Sequence, residues 1–132
     1  MGTLDSDPTV AEPARAYVTA VGEHDIDTIE MLFAADATAT FAGQVLSRSE
    51  WIGGLRRLFP ALVRNDILEV FTAATRACIV YDFVTDTAAG AVRCVELLTV
   101  KNRQITEVEL IFDRVAFAPV NTALEERAAS AD

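Results

Sequence analysis

Three polar side chains in apolar surroundings are the candidates for chemistry in this sequence. Asp82 and Glu96 each lie within a strand-like run of apolar residues, and Tyr17 lies on the apolar face of a predicted helix. Burial in an apolar pocket raises the pKa of a carboxyl group until it can move a proton near neutral pH. A tyrosine hydroxyl in the same pocket can stabilise the enolate that such a transfer creates. Tyr17, Asp82 and Glu96 are therefore candidate catalytic residues, and proton transfer on an apolar molecule is the chemistry that would follow if they point into one pocket.

Each candidate also has a structural interpretation, and the sequence leaves both open. Asp82 can face outward and pair with Arg93 on the neighbouring strand. Glu96 lies in a strand with two apolar faces. A one-residue bulge in the following connection would turn it to the face of Leu110, and without the bulge it would turn outward. Tyr17 can be a core ring whose hydroxyl is satisfied by a neighbour.

Three helices are predicted ahead of the main sheet. The first covers residues 13–23, where apolar residues recur at helical spacing after a proline suited to the first turn. The second has Asp27 at its N-cap and includes Phe33. The third begins at Ser47-Arg48-Ser49-Glu50, which has the pattern of a capping box, and Pro60 disturbs its end.

The second half of the chain predicts an antiparallel sheet. A short strand is expected over residues 37–41. After residue 66 the apolar period falls to 2, and four further strands are predicted over residues 67–75, 77–85, 92–100 and 105–113, with connections of hairpin length between them. Helices followed by such a meander predict an α+β fold, with the helices packed on the concave face of a curved sheet and a pocket between the layers.

Apolar side chains are expected on both faces of the sheet. The pocket walls, which would bind a substrate, are predicted to consist of large apolar residues: Phe41, Trp51, Leu55, Phe59, Leu98, Val108, Leu110 and Phe112. On the outer face, Val95, Leu97 and Ile111 supply apolar area for a contact between two copies of the chain. The pocket therefore favours a small apolar molecule as ligand.

Length and composition bound the class of protein. The 132 residues fit one domain over residues 1–132, in which about 1–12 and 120–132 are expected to be flexible. A hydrophobic share of 52% exceeds the needs of a small core, which favours a cavity or a subunit contact. The net charge of -9 argues against a nucleic-acid partner, because such a partner requires clustered cations.

Cysteine and histidine usage predicts neither a disulfide nor a metal site. Cys78 and Cys94 lie in apolar strand-like runs, where reduced thiols behave as small hydrophobes, and a single histidine is too few for the usual zinc sites. The sequence shows neither a secretory leader nor a long apolar run, so we expect a cytoplasmic protein without a membrane partner. Its many alanines and arginines are typical of a GC-rich bacterial genome.

The stretch AYVTAVGEHDIDTIEMLFAADATATF, residues 16–41, resembles the opening of the NTF2-like superfamily. That superfamily includes ketosteroid isomerases, SnoaL-like polyketide cyclases and the limonene-epoxide-hydrolase type, and the resemblance extends more loosely over residues 14–117. It implies a conical fold of three N-terminal helices on a curved antiparallel sheet, and a homodimer formed through the outer sheet face. The chemistry of this fold varies widely between its members.

The resemblance to the isomerases assigns roles to three positions. Tyr17 falls on the position of their catalytic tyrosine, and Glu96 on that of an aspartic acid that stays protonated and donates a hydrogen bond. Phe41 occupies the position of their carboxylate base, and a phenyl ring cannot take a proton. The epoxide hydrolases need an arginine between two aspartates. Asp82 can match the first aspartate, but Val80 and Leu110 occupy the other two positions.

The resemblance therefore implies an isomerase or cyclase that uses no cofactor and acts on an apolar polyketide- or steroid-like substrate. A binding or assembly module without catalysis is the alternative favoured by the missing base. An epoxide-opening enzyme is a further alternative.

Overall fold

The first helix begins earlier than the sequence predicts. A computed structural model describes residues 7–130, so the expected flexibility of residues 1–6 and 131–132 falls outside the described residues. Helix α1 runs over Pro8–Gly22, and Oδ1 of Asp7 accepts a hydrogen bond from the Thr9 amide at 3.0 Å. Residues 8–12, expected to be flexible, are thus helical because Asp7 satisfies a free amide at the helix start.

The second helix is shorter than predicted and gives way to a strand at Phe33. Helix α2 covers Ile26–Leu32, and its N-cap is Asp25 rather than Asp27. Both oxygens of Asp25 are used, since Oδ1 accepts from the Thr28 amide at 3.2 Å and Oδ2 accepts from its hydroxyl at 2.7 Å. Strand β1 then covers Phe33–Phe41, so it begins four residues before the predicted start.

The third helix has the predicted capping box. Strand β2, Gln44–Ser47, was not predicted and forms a hairpin with β1. Helix α3 covers Arg48–Leu58; Ser47 Oγ accepts from the Glu50 amide at 3.2 Å, and Glu50 Oε1 accepts from the Ser47 amide at 2.8 Å. A single 3-10 turn, Phe59–Ala61, follows at Pro60.

The predicted four-strand meander is confirmed and is part of a larger sheet. Its strands are β3 (Leu62–Ala73), β4 (Arg76–Thr85), β5 (Ala91–Lys101) and β6 (Gln104–Phe112). The order is β2-β1-β6-β5-β4-β3, and the β1–β6 pair is parallel whereas the other pairs are antiparallel. The helices pack on one face of this curved sheet, so the α+β fold is confirmed.

A bulge in β6 decides which way Glu96 faces. Val100 pairs with Ile105 and Thr99 with Glu107, so Thr106 is an extra residue in β6. The bulge lies inside this strand rather than in the turn where the sequence allowed for one. It still places Glu96 opposite Leu110, on the side of the sheet that faces the helices.

A fourth helix, α4, spans Arg114–Ser130, where fraying was expected after residue 119. Oδ1 of Asp113 accepts hydrogen bonds from the amides of residues 115 and 116 at its start. Phe117, Val120 and Leu124 recur at helical spacing and are buried. Arg127 ties the helix down through the Pro60 carbonyl at 3.1 Å and the Asp86 carboxylate at 2.8 Å. None of the helices in residues 7–130 has the length and apolarity to cross a membrane.

Candidate active site

A cavity of about 380 Å³ lies between the concave face of the sheet and helices α1, α3 and α4. Five of the eight predicted wall residues line it: Phe41, Trp51, Leu55, Leu110 and Phe112. Other apolar residues complete the walls, among them Val21, Leu46, Leu58, Phe83 and Phe117. Phe117 comes from the unpredicted helix α4 and packs edge-on against Phe83, with ring centroids 5.7 Å apart. The cavity suits an apolar molecule.

The other three predicted wall residues do not line the cavity. Phe59 is the first residue of the 3-10 turn and stacks on the ring of His24, with centroids 4.6 Å apart. Leu98 and Val108 pair with each other, one row of the helix-facing side away from the Glu96–Leu110 pair. Both are buried in the core, Leu98 completely. They lie on the same face of the sheet as Glu96 and Leu110 but do not form the cavity surface.

Glu96 is a buried carboxyl group that lines the cavity. Only 2% of the residue is exposed. The Tyr81 hydroxyl donates a 2.6 Å hydrogen bond to its Oε1, while Oε2 has no hydrogen-bond partner among residues 7–130. Tyr81 was not among the predicted site residues. Strand alternation could have found it, because an outward Asp82 requires an inward Tyr81.

Tyr17 lines the same cavity and is completely buried. Its hydroxyl oxygen accepts a 2.9 Å hydrogen bond from Trp51 Nε1, and its ring stacks on Phe33 with centroids 5.2 Å apart. The hydroxyl also favours the ionised form of Glu96, which lines the same cavity. A ligand oxygen bound beside Tyr17 would accept a hydrogen bond from this hydroxyl.

Burial dominates the electrostatics of this group of side chains. It raises the pKa of Glu96 to about 7, against the opposing effect of the Tyr81 and Tyr17 hydroxyls, which favour the ionised form. The pKa values of Tyr17 and Tyr81 are raised well above 10.0 by burial and then by the charge of Glu96. Burial also raises the pKa of Cys94 to about 12. Near neutral pH, Glu96 is thus the group of this set that changes its charge.

Asp82 does not line the cavity, so the prediction that its side chain points inward is wrong. It alternates with the inward residues Tyr81 and Phe83, so its side chain lies on the outer face of β4. There Oδ1 accepts a 2.6 Å hydrogen bond from Nε of Arg93, its partner on β5. Asp82 therefore faces outward and pairs with Arg93, which is the structural interpretation that the sequence left open. None of the three polar groups of the epoxide hydrolases is present in this cavity. Asp82 and Val80 lie on the outer face of the sheet, and Leu110 is apolar.

Three polar side chains line the cavity where it meets the solvent. Arg57 at the end of α3 and Arg114 at the start of α4 are exposed, and Asn121 is half-buried. Arg57 Nη2 donates a 2.9 Å hydrogen bond to Asn121 Oδ1. Sequence reasoning missed all three residues. Arg114 and Asn121 lie on a helix that it did not predict, and Arg57 lies on the predicted third helix, where an exposed arginine is not a signal of a site.

The cysteines and the metal-ligating residue types are the remaining groups that could do chemistry. Cys78 and Cys94 are free thiols on opposite faces of the sheet, with Cys94 on the cavity side. Cys94 is buried as expected, whereas Cys78 is only half-buried. Within residues 7–130, no three or more His, Cys, Asp or Glu side chains are grouped so that they could hold a metal ion.

The fold and the cavity define the class of this protein. Residues 14–108 match the SnoaL-like domain family, so the chain belongs to that family, and its fold is that of the NTF2-like proteins, as the resemblance implied. No curated protein matches the sequence of this chain.

Solved structures agree with this assignment. A protein from Kribbella flavida is 26% identical, with a TM-score of 0.78 over 91% of this chain and 99% of that chain. A candidate polyketide cyclase from Sinorhizobium meliloti is 18% identical, with a TM-score of 0.67 over 76% and 94%. A Catenulispora acidiphila protein with a ketosteroid isomerase-like fold, solved with trimethylamine, is 22% identical, with a TM-score of 0.64 over 77% and 85%. The last two likenesses show the fold alone.

Proposed function

We propose that the protein is a small isomerase or cyclase that moves a proton on an apolar polyketide- or steroid-like substrate inside the cavity. The observation that carries the proposal is the Glu96 carboxyl group, buried in an apolar cavity with one oxygen held by Tyr81 and the other free. The family and the description of the Sinorhizobium relative support the same class of reaction. Proton transfer needs no electron or group carrier, so the proposal includes no cofactor.

In the isomerase reaction, Glu96 takes a proton from the carbon next to a substrate carbonyl group. The electron pair of the broken C–H bond forms the enolate, and the Tyr17 hydroxyl donates a hydrogen bond to the enolate oxygen. Glu96 then returns the proton to a different carbon, which moves the double bond. A pKa of about 7 suits both halves of this cycle, because the base and the acid are both populated near neutral pH.

A cyclase would share the first half of this reaction. The enolate carbon would attack a second carbonyl carbon of the same molecule, forming a C–C bond, and the resulting alkoxide would take the proton from Glu96. One carboxyl group therefore suffices for either reaction. This differs from the isomerases of the superfamily, where the position of Glu96 holds a proton donor and a separate base stands at the position of Phe41.

A ligand-binding module without catalysis is the second candidate. It is favoured by one observation: Glu96 is the single carboxyl group that lines the cavity within residues 7–130. A binding protein could use this group and Tyr17 only to orient a ligand. The two candidates differ in whether a bound ketone exchanges its protons with the solvent.

Proton exchange gives a test that does not require the natural substrate. Polycyclic ketones incubated with the protein in heavy water should take up deuterium next to the carbonyl group, as measured by mass spectrometry. A β,γ-unsaturated steroid ketone should be converted to its conjugated isomer, followed by ultraviolet absorbance. Glu96→Gln should lower both rates by about 100-fold or more, whereas Asp82→Asn should retain them. Ketones that bind in the cavity without exchange would overturn the catalytic proposal in favour of the binding module.

We also propose a homodimer formed through the outer face of the sheet, in the cytoplasm. Val95 and Leu97 are half-buried there, and Ile111 and Phe71 are 49% and 40% exposed. Neighbouring apolar side chains on one sheet face favour a contact with a second copy. The two free thiols fit a reducing compartment.

A further inference from the structure

The charges around the cavity are distributed unevenly. Acidic residues outnumber Lys and Arg by 20 to 11 in the chain, yet among residues 7–130 the charged residues lining the cavity besides Glu96 are both arginines, Arg57 and Arg114. Both are exposed, whereas Glu96, Tyr17 and Tyr81 are buried. The cavity therefore has a phenolic and carboxylic floor and a cationic mouth.

The fold positions these two arginines rather than leaving them on a random surface. Arg114, Phe117 and Asn121 recur at i, i+3 and i+7 on α4, so they share the face of that helix that covers the cavity. Arg57 reaches across from α3 and donates a 2.9 Å hydrogen bond to Asn121. Neither arginine forms an ion pair with any residue of 7–130, unlike Arg64, Arg93, Arg103 and Arg127. Their charge is available to a ligand.

We infer that the ligand of this cavity is an apolar molecule that carries a carboxylate, which meets Arg57 and Arg114 at the mouth while the apolar part fills the cavity. The inference rests on the proposed function and adds the substrate class to it. A guanidinium group matches the two oxygens of a carboxylate, and such charge-assisted hydrogen bonds are stronger than neutral ones. The carbonyl group of the ligand then lies at the far end, beside Glu96 and Tyr17.

This arrangement also gives the ligand one orientation. A carboxylate placed at the floor would be repelled by the ionised form of Glu96 and would lose its solvation among apolar side chains. At the mouth, the same group remains partly hydrated and contacts two cations. Electrostatic attraction at the entrance also offsets the repulsion that an anionic ligand experiences from a chain of net charge -9.

A matched pair of probes tests the inference. Naphthoate and its methyl ester have the same ring system and differ in charge, and binding can be followed by quenching of Trp51, the single tryptophan of the chain, which lines the cavity. We expect the wild-type protein to bind naphthoate about ten-fold more tightly than the ester at low salt, with a preference that shrinks as salt rises. The double variant Arg57→Gln/Arg114→Gln should bind both probes equally.

The double variant Arg15→Gln/Arg56→Gln is the control. It removes the same charge from two exposed arginines that do not line the cavity, and it should keep the preference. Denaturant unfolding of both variants checks that each is folded. A preference that survives in Arg57→Gln/Arg114→Gln, or that disappears equally in the control, overturns the inference.

The remaining outcomes separate this inference from the proposed function. If the wild-type protein binds both probes with equal affinity, the carboxylate inference is overturned, whereas the apolar cavity and its proton chemistry stand. If neither probe quenches Trp51, the inference is overturned together with the apolar binding site on which the proposed function depends.

Discussion

The Tyr81 hydroxyl donates a 2.6 Å hydrogen bond to Oε1 of Glu96 and leaves Oε2 without a partner in the described part of the chain. The two oxygens of this carboxyl group therefore differ in their hydrogen bonding. Oε1 fixes the side chain, and Oε2 is available to a ligand. The hydrogen bond also limits how far burial can raise the pKa, because it stabilises the ionised form.

Removing the Tyr81 hydroxyl should raise the pKa of Glu96 above about 7. In Tyr81→Phe the carboxylate loses its hydrogen bond while burial still disfavours its charge, so the rate of deuterium uptake should reach half its maximum at a higher pH than in the wild type. Tyr17→Phe should cause a smaller change of the same sign, because Tyr17 is the weaker of the two effects. An unchanged or lower midpoint in Tyr81→Phe would contradict this role.

Burial of Glu96 should make the protein less stable at higher pH. The folded pKa of about 7 lies above the ordinary 4.5, so the contribution to stability is full below pH 4.5 and is lost as pH rises through 7. At about 1.4 kcal/mol per pKa unit, the loss is about 3 kcal/mol.

The comparison with Glu96→Gln isolates this effect, since the other titrating groups are common to both proteins. The free energy of unfolding in urea, wild type minus variant, should fall by about 3 kcal/mol between pH values below 4.5 and above 7. A difference that does not depend on pH would mean that Glu96 is solvated.

Asp82→Asn should leave the rate, its pH dependence and ligand binding unchanged. Asp82 interacts with Arg93 on the outer face, and its partner is largely exposed, so water replaces most of what the ion pair supplies. Ketone exchange and binding assays on this variant beside Glu96→Gln decide between the two carboxylates. A large loss of rate in Asp82→Asn would contradict the assignment of the proton transfer to Glu96.

Leu98 and Leu110 should respond differently to truncation. Leu98→Ala leaves a hole in a completely buried site and should cost about 2–5 kcal/mol of unfolding free energy with little change in ligand affinity. Leu110→Ala removes part of the cavity wall, so it should cost less stability and change the binding of the naphthoate probes. Urea unfolding and Trp51 quenching measure the two effects. Similar binding changes in both variants would contradict the placement of Leu98 outside the cavity wall.

The scaffold could be predicted because its signals are local or periodic. The capping box at Ser47 and Glu50 predicts the start of α3, and four β-branched and aromatic runs joined by connections of hairpin length predict the meander. Helix α4 was not predicted, because Pro119 and the surrounding alanines and glutamates weaken the helical spacing of apolar residues. Its buried residues Phe117 and Leu124 nevertheless follow that spacing. Its stability comes from packing and from the hydrogen bonds of Arg127 to Pro60 and Asp86, which are distant in the sequence and so leave no local signal.

The site could be predicted only in part, because the direction of a side chain depends on register. Glu96 lies in a strand with two apolar faces, and its orientation follows from an extra residue, Thr106, on another strand. Asp82 lies in a run whose apolar residues on both faces hide the alternation. Phe59 keeps helical spacing with Trp51 and Leu55, but the 3-10 turn that begins at this residue turns it toward His24.

Ile111→Lys should prevent the proposed homodimer. The residue is 49% exposed on the outer sheet face, and a buried ammonium group without a partner would be costly in an apolar contact. Val115→Lys is the matched control, because Val115 is 83% exposed on α4, away from that face. Sedimentation should show a monomer for Ile111→Lys and a dimer for Val115→Lys and the wild type. A dimer that survives in Ile111→Lys would contradict the proposed interface.

The most direct test of the site is a titration of the Glu96 carboxyl carbon by NMR, with the signal assigned by its absence in Glu96→Gln. A carboxyl group in a dry cavity, held by Tyr81, should titrate with a pKa of about 7. A pKa near the ordinary 4.5 would show a solvated carboxylate, and the proposed proton transfer at Glu96 would then be wrong.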